Sequence, residues 1–231
     1  VFSYIPNTAE VAFYGMVEGV HKYLRDYQKD ILLNRADKIS DTELEEVLNM
    51  SARIEKIAIK DVKLRTFITQ DADRQDMVAH VYDTTYGLIN KGADNLVVLD
   101  DSIVRGTTLK QSILKILDRL GPKRIIVVSS APQIRYPDCY GIDMSRMGEF
   151  VAFEAAISLL RETGREDIID GVYQNCIESE KLGNMQTENF VQEIYSQFTD
   201  QEISDRIAKI ITPKEIKTEV KGNSKSNSDE F

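Results

Sequence analysis

The sequence predicts an α/β fold in which helices flank a parallel sheet. Residues 95–99 and 124–130 are short apolar runs rich in β-branched side chains, as buried parallel strands are. Between them, apolar residues recur at helical spacing and a Gly-Pro pair follows: Leu109, Ile113, Ile116, Leu117, Leu120 and then Gly121-Pro122. A strand, loop, helix and strand in this order indicate a βαβ unit and hence a parallel sheet.

The remaining patterns divide the chain into three parts. Of the 231 residues 42% are hydrophobic, which suffices for one sizeable core with a helical appendage. We expect the α/β domain at 1–160, a mostly helical extension at 161–215 and a disordered polar tail at 216–231. Within the first part, residues 1–5 read as a strand and residues 9–32 as a helix. A helical insertion is predicted at 40–58, capped by Ser40 or Asp41, with Ile54 and Ile57 on its apolar face.

Composition excludes several classes of function. The net charge of -9 argues against broad binding to nucleic acid, which needs many Lys and Arg contacts to phosphate. No apolar run approaches the length of a membrane span. From the residues at the start of the sequence we expect no secretion signal. Two cysteines, Cys139 and Cys176, match no disulfide scaffold or zinc pattern, so reduced thiols and a cytoplasmic location are expected. Because the chain opens directly on a strand-like run, we also expect a preceding domain.

The segment that carries chemistry follows the strand at 95–99. Asp100 and Asp101 come at the carboxyl edge of the predicted sheet, where open α/β folds bind ligands. Small and hydroxyl residues then open a helix, and their backbone N–H groups can face a phosphate: Ser102, Ile103, Val104, Arg105, Gly106, Thr107 and Thr108. Gly106 permits a positive φ or a close backbone approach. Paired carboxylates beside a phosphate favour a sugar phosphate with Mg²⁺, although the residue types alone fit a solvated helix-capping loop equally well.

The same segment resembles a known family signature. Residues 100–108 are similar to the 5-phosphoribosyl-1-pyrophosphate (PRPP) signature of type I phosphoribosyltransferases, in the form seen in amidophosphoribosyltransferases. Further segments match this family in order: Ile5-Pro6-Asn7-Thr8, Arg65-Thr66-Phe67-Ile68, and 130–137 with 140–144. The resemblance covers about residues 1–160 and implies the type I phosphoribosyltransferase fold.

The resemblance implies a role for each matching position. Asp100 and Asp101 would hold the ribose hydroxyls and Mg²⁺, and Thr8 would complete the metal site. Residues 102–108 would wrap the 5-phosphate, and Arg65 with the loop after it would close over PRPP. The implied reaction joins ammonia to the ribose of PRPP, giving phosphoribosylamine and pyrophosphate in the first step of de novo purine biosynthesis.

The resemblance also implies partners. Its members are homo-oligomers, are inhibited by purine nucleotides, and obtain ammonia from glutamine through an N-terminal glutaminase domain that begins with a nucleophilic cysteine. No such cysteine stands in these 231 residues, so we expect the chain to use free ammonia only. No iron–sulfur cluster is expected, because Cys139 is one place out of register with the cluster ligand of some relatives and no C-x-x-C follows.

Two other functions remain open. A PRPP- or nucleotide-sensing module without turnover is favoured by the acidic residues at 69–76, where the family's loop is basic. A base-utilising phosphoribosyltransferase is disfavoured by the segments at 102–105 and 134–143. Arg135 fits a phosphate contact or a structural salt bridge equally well.

Overall fold

The computed structural model describes residues 1–6, 8–35, 38–60, 82–138, 144–182 and 188–216. Some predicted features lie outside these ranges: Arg65 with the loop around it, the acidic residues at 69–76, Cys139, and the tail from 217 onward.

The described chain forms two compact units. The first comprises Val1–Ser102 and Lys115–Pro132, and the second comprises Ile103–Leu114 and Gln133–Phe231. The predicted domain boundary at residue 160 stays a prediction.

The regular elements are short strands and helices of mixed length. The strands are β1 (Phe2–Tyr4), β2 (Ala58–Lys60), β3 (Tyr82–Thr84), β4 (Asn95–Asp100) and β5 (Arg124–Ser129). The helices are α1 (Glu10–Arg35), α2 (Asp41–Leu48), α3 (Leu114–Asp118), α4 (Val151–Glu162), α5 (Asp167–Lys181), α6 (Gln192–Ser196) and α7 (Asp200–Ile211). A π-helical turn at Leu109–Ile113 leads directly into α3.

The first unit contains the predicted parallel sheet. Its strand order is β1-β4-β5, and both pairings are parallel, so β4 is the central strand. Leu96 and Val98 of β4 are almost fully buried, as expected of a strand between two neighbours. The predicted α/β class, with helices flanking a parallel sheet, is confirmed. A separate antiparallel pair, β2 and β3, belongs to the same unit.

The helix predicted to fill residues 40–58 is wrong beyond Leu48. Ser40 caps α2 through a reciprocal pair of hydrogen bonds with Glu43, as a capping box does. After the helix, the backbone runs beside β1 instead: the Phe2 N–H donates to the Arg53 carbonyl at 2.8 Å, and Ile54 forms a parallel bridge with Phe2. Ile57 is fully buried. The apolar residues of this segment therefore lie beside the outer strand β1 and do not form the apolar face of a helix.

The second unit is mostly helical and contains the extension that was predicted to be helical at 161–215. Alanines on one face of α4, Ala152, Ala155 and Ala156, are almost fully buried, which permits a close approach between helices. The helix α7 presents Ile203, Ile207 and Ile211 at a spacing of four residues, and all three are buried. The most extensive contact between helices of this unit is that between α4 and α7. None of the helices in the described ranges has the length and apolar character of a membrane span.

The capping box of α7 makes a measurable contribution to stability. The Thr199 hydroxyl accepts the Glu202 N–H at 3.2 Å, and the Glu202 carboxylate accepts the Thr199 N–H at 2.8 Å. We expect Thr199→Ala to lower the free energy of unfolding by about 1 kcal/mol. Thr199→Ser retains the hydroxyl and should stay close to the wild type in urea denaturation. Equal losses in both variants would contradict a capping role.

Candidate functional site

The segments that follow β1, β4 and β5 all leave the sheet at its carboxyl-terminal edge. In the register of the sheet, Tyr4 pairs with Leu99 and Leu99 pairs with Val128, so the parallel strands end nearly level. Hydrogen bonds continue just past the strand ends: the Ile5 N–H donates to the Leu99 carbonyl at 2.8 Å, and the Ser130 N–H donates to the Asp100 carbonyl at 2.9 Å. Since carboxyl ends of parallel strands form ligand sites, this edge is the candidate site of the first unit.

Thr8 lies on the segment that leaves β1 at this edge. Pro6 before it and Ala9 after it are buried, whereas Thr8 itself is exposed. The Phe13 N–H donates to the Ala9 carbonyl at 2.9 Å, which fixes the point where the segment enters α1. The structure thus brings the segment of Thr8 and the pair Asp100 and Asp101 to one edge of the sheet.

Asp100 and Asp101 are adjacent carboxylates at this edge of the sheet. The Asp101 N–H donates to Oδ1 of Asp100 at 2.9 Å, and the Asp101 carbonyl accepts the Ala131 N–H at 3.0 Å. Burial first, and then the neighbouring Asp101 carboxyl, raise the pKa of Asp100 to about 7. The Asp101 N–H and the positive charge of Lys60 act in the opposite direction on this pKa. With a pKa of about 7, the Asp100 carboxyl is therefore only partly ionised at neutral pH unless a cation approaches.

The donor chemistry of this pair fits Mg²⁺. Mg²⁺ is commonly bound through one or two carboxylates, with substrate phosphates and water completing its shell. A carboxyl group that is protonated mainly through burial and a like-charged neighbour is one that a divalent cation would ionise. Within the described ranges no cluster of three or more His, Cys, Asp or Glu side chains forms a metal site.

The raised pKa of Asp100 makes folding stability depend on pH. Its folded pKa of about 7 exceeds the ordinary aspartate value of 3.8, so the folded chain binds the proton more tightly. Stability is therefore lost as pH rises from about 4 to about 7, and the loss is complete above the folded pKa. In metal-free buffer, Asp100→Asn should be more stable than the wild type by about 1–2 kcal/mol at pH 8, after allowance for partial solvent screening.

Urea denaturation at pH 4.5 and pH 8 measures this difference. The gain of Asp100→Asn should shrink at the lower pH, where the wild-type carboxyl is also neutral. Asp118→Asn replaces an exposed carboxylate of α3 and serves as the control. A gain that is equal at both pH values would show that the charge on Asp100 is not its cause.

The loop after Asp101 passes from the first unit into the second. Ser102 belongs to the first unit and Ile103 to the second. The Val104 carbonyl accepts the Val151 N–H at 2.8 Å, which ties the loop to the start of α4. Gly106 has a φ of 69°, so the expected positive φ is confirmed at this position. A Cβ atom there would lie 2.5 Å from Cγ2 of Ile211, which adds a packing reason for glycine.

The helix that follows this loop begins at Thr107, directly after Gly106. The Lys110 N–H donates to the Gly106 carbonyl at 3.0 Å, and the Thr108 side chain makes no capping hydrogen bond. The first N–H groups of a helix lack intrahelical acceptors, and together with the helix dipole they attract anions. The predicted phosphate loop therefore leads to a helix start that is chemically suited to a phosphate.

Two arginines of the second unit that the sequence singled out are engaged in ion pairs. Arg105 pairs with Glu149 at 2.5 Å. Arg135 pairs with Asp200, hydrogen-bonds the side chain of Gln133, and lies 5.1 Å from the ring centre of Tyr195. For Arg135 this network favours the structural salt bridge over a phosphate contact.

The outcome for the predicted site residues is mixed. Thr8, Asp100 and Asp101 lie at or beside one sheet edge of the first unit, and residues 103–108 belong to the second unit. Arg65 lies outside the described residues. Sequence reasoning missed Glu10, whose carboxylate accepts hydrogen bonds from Tyr4 and Tyr14. No sequence pattern indicated this contact, because a single Glu in the first turn of a helix is common.

Comparison with known proteins gives one consistent similarity. The chain is 34% identical over 97 residues to amidophosphoribosyltransferase of Escherichia coli K12, over 42% of this chain and 19% of the relative. It is 49% identical over 59 residues to the amidophosphoribosyltransferase of Pasteurella multocida, over 26% of this chain and 12% of the relative. The chain thus spans less than a fifth of the length of these curated relatives.

A solved structure is also similar. It is the glutamine PRPP amidotransferase from B. subtilis complexed with ADP and GMP, with 25% identity and a TM-score of 0.41, covering 71% of this chain and 29% of that one. No family model matches the chain. In sequence, then, the chain is similar to bacterial amidophosphoribosyltransferases over part of its length.

Proposed function

We propose that this chain carries the PRPP-binding part of an amidophosphoribosyltransferase and joins ammonia to the ribose of PRPP. The observation that carries the proposal is the common edge of β1, β4 and β5, from which the segments of Thr8 and of Asp100 and Asp101 leave together. The sequence similarity to bacterial amidophosphoribosyltransferases supports the same assignment. The chain would act in the first step of purine biosynthesis.

In this proposal, each side chain acts on a different part of PRPP. Asp100 and Asp101 accept hydrogen bonds from the ribose hydroxyls and hold Mg²⁺. Thr8 completes the metal site with an oxygen at the pyrophosphate end of PRPP. The loop at 102–108, which includes the helix start at Thr107, binds the 5-phosphate through backbone N–H groups. Arg65 closes over the substrate. When bound, Mg²⁺ neutralises charge on the departing pyrophosphate.

The carboxylates also explain how the reaction is accelerated. As the bond between ribose C1 and the pyrophosphate oxygen breaks, positive charge develops on the ribose ring. Asp100 and Asp101 lie at fixed positions and stabilise that charge electrostatically. The nitrogen of ammonia then attacks C1 and gives a proton to water. Because ammonia is already a nucleophile, this step needs no histidine base in the site.

Release of pyrophosphate tests the proposal. The 231-residue chain is incubated with PRPP and Mg²⁺, and with either ammonium chloride or glutamine as the nitrogen source. Release with ammonia, accompanied by phosphoribosylamine, supports the proposal, and inactivity with glutamine supports the proposed ammonia dependence. Binding of PRPP without release would instead favour the sensing module. Purine nucleotides added to the same assay test the proposed feedback inhibition.

A further inference from the structure

Two tyrosine hydroxyls meet one carboxylate where β1 passes into α1. The Tyr4 hydroxyl donates to Oε1 of Glu10 at 2.8 Å, and the Tyr14 hydroxyl donates to the same oxygen at 3.3 Å. Tyr4 is the last residue of β1, and Glu10 is the first residue of α1. The shorter bond therefore joins the two ends of the connection that carries Thr8.

Tyr4 is itself held firmly by packing. Its side chain is buried in a cluster with Ala9, Phe13 and Leu99, and its ring centre lies 5.0 Å from that of Phe13. A tyrosine hydroxyl beside such a cluster needs a polar partner, and Glu10 supplies it. Burial and the bond to Glu10 raise the pKa of Tyr4 to about 12, so the hydroxyl remains a donor at neutral pH.

The same cluster reaches the strand that bears Asp100. Leu99 directly precedes Asp100, is the register partner of Tyr4, and accepts the Ile5 N–H at 2.8 Å. If Tyr4 moved, the connection that carries Thr8 would therefore move relative to Asp100.

Packing alone explains neither the hydroxyl of Tyr4 nor the carboxylate of Glu10. A phenylalanine would fill the volume of the Tyr4 ring equally well. The Glu10 carboxylate accepts hydrogen bonds from both tyrosine hydroxyls, in addition to the favourable effect of a negative charge in the first turn of α1.

We propose that Glu10 is a positioning residue, which holds Tyr4 and thereby fixes the connection between β1 and α1 in the geometry that Thr8 needs for magnesium pyrophosphate. This inference rests on the proposed function, because it assigns Thr8 to the pyrophosphate end of the substrate. Neither Glu10 nor Tyr4 touches the substrate in this assignment.

Tyr4→Phe tests the proposal with two probes. Magnesium pyrophosphate reports on the Thr8 side of the site, and ribose 5-phosphate reports on the 5-phosphate side. By calorimetric titration, we expect the Kd for magnesium pyrophosphate to rise about tenfold, which corresponds to about 1.4 kcal/mol, while that for ribose 5-phosphate stays unchanged. In turnover with ammonia, KM for PRPP should rise by about the same factor with little change in kcat.

Three further variants make the test specific. Tyr14→Phe removes only the longer bond from an exposed tyrosine and should bind both probes as the wild type does. Glu10→Gln keeps an acceptor oxygen and should also stay near the wild type, whereas Glu10→Ala should match Tyr4→Phe. Unchanged binding of magnesium pyrophosphate in Tyr4→Phe, or equal weakening of both probes, would overturn the proposal. Failure of the wild type to bind either probe would refute the proposed function itself, and this inference with it.

Discussion

Replacement of Asp100 by asparagine is expected to lower kcat/KM for PRPP with ammonia by about 10²–10³-fold. Asparagine keeps the size of the side chain and can still accept the Asp101 N–H, so the fold is retained. It loses the negative charge that binds Mg²⁺ and stabilises positive charge on the ribose ring. Above pH 7 the variant should therefore be far less active than the wild type and yet more stable.

Pyrophosphate release under saturating ammonium chloride measures this loss. Asp118→Asn, on the exposed surface of α3, removes one negative charge elsewhere in the same unit and should retain full activity. Activity in Asp100→Asn within a few-fold of the wild type would remove Asp100 from the proposed site. A gain in stability together with a loss of activity is expected of a half-buried carboxylate that serves binding and not packing.

Substitution of Gly106 by alanine has the second large effect, and it acts on stability. Two costs add at this position. A φ of 69° costs a residue with a Cβ about 1–2 kcal/mol, and the new Cβ would lie 2.5 Å from Cγ2 of Ile211. Ile211 is buried on α7 and its β-branched side chain has few rotamers, so it cannot move away cheaply. We expect a loss of about 2–4 kcal/mol in the free energy of unfolding.

A matched glycine separates these two costs. Gly164 has a φ of 67°, but a Cβ added there would meet no atom within 4 Å, so Gly164→Ala carries the backbone cost alone, about 1–2 kcal/mol. The difference between the two variants in urea denaturation isolates the contact with Ile211. Ile211→Ala should reduce the cost of Gly106→Ala in a double-mutant cycle. Equal losses in the two glycine variants would show that the contact with Ile211 does not affect the free energy of unfolding.

The sequence indicated those features that depend on local pattern. Two runs of β-branched residues with a helical period between them predicted the parallel pairing of β4 and β5. The residues after β4 predicted a carboxylate pair at the sheet edge, because side chains that directly follow a parallel strand can only lie there. The opening strand was likewise predicted from alternation over a few residues.

Features that depend on contacts between distant residues were not predictable in this way. The spacing of Ile54 and Ile57 fits a helix as well as an edge strand. The structure decided between them, because this segment lies along the side of β1 that β4 leaves unpaired. Arg135 could have faced a phosphate, but Asp200, 65 residues further on, pairs with it.

The sequence by itself determined the α/β class, the order of the βαβ unit and the place of Asp100 and Asp101. Each of these follows from the spacing of apolar residues and from the turn residues within a short segment. The tertiary structure decided why position 106 must be glycine, which charges are paired, and that Tyr4 and Glu10 join the ends of the Thr8 connection. These outcomes depend on which surfaces pack together and on which polar groups lose water there. That information is a property of the folded chain as a whole and of no single segment.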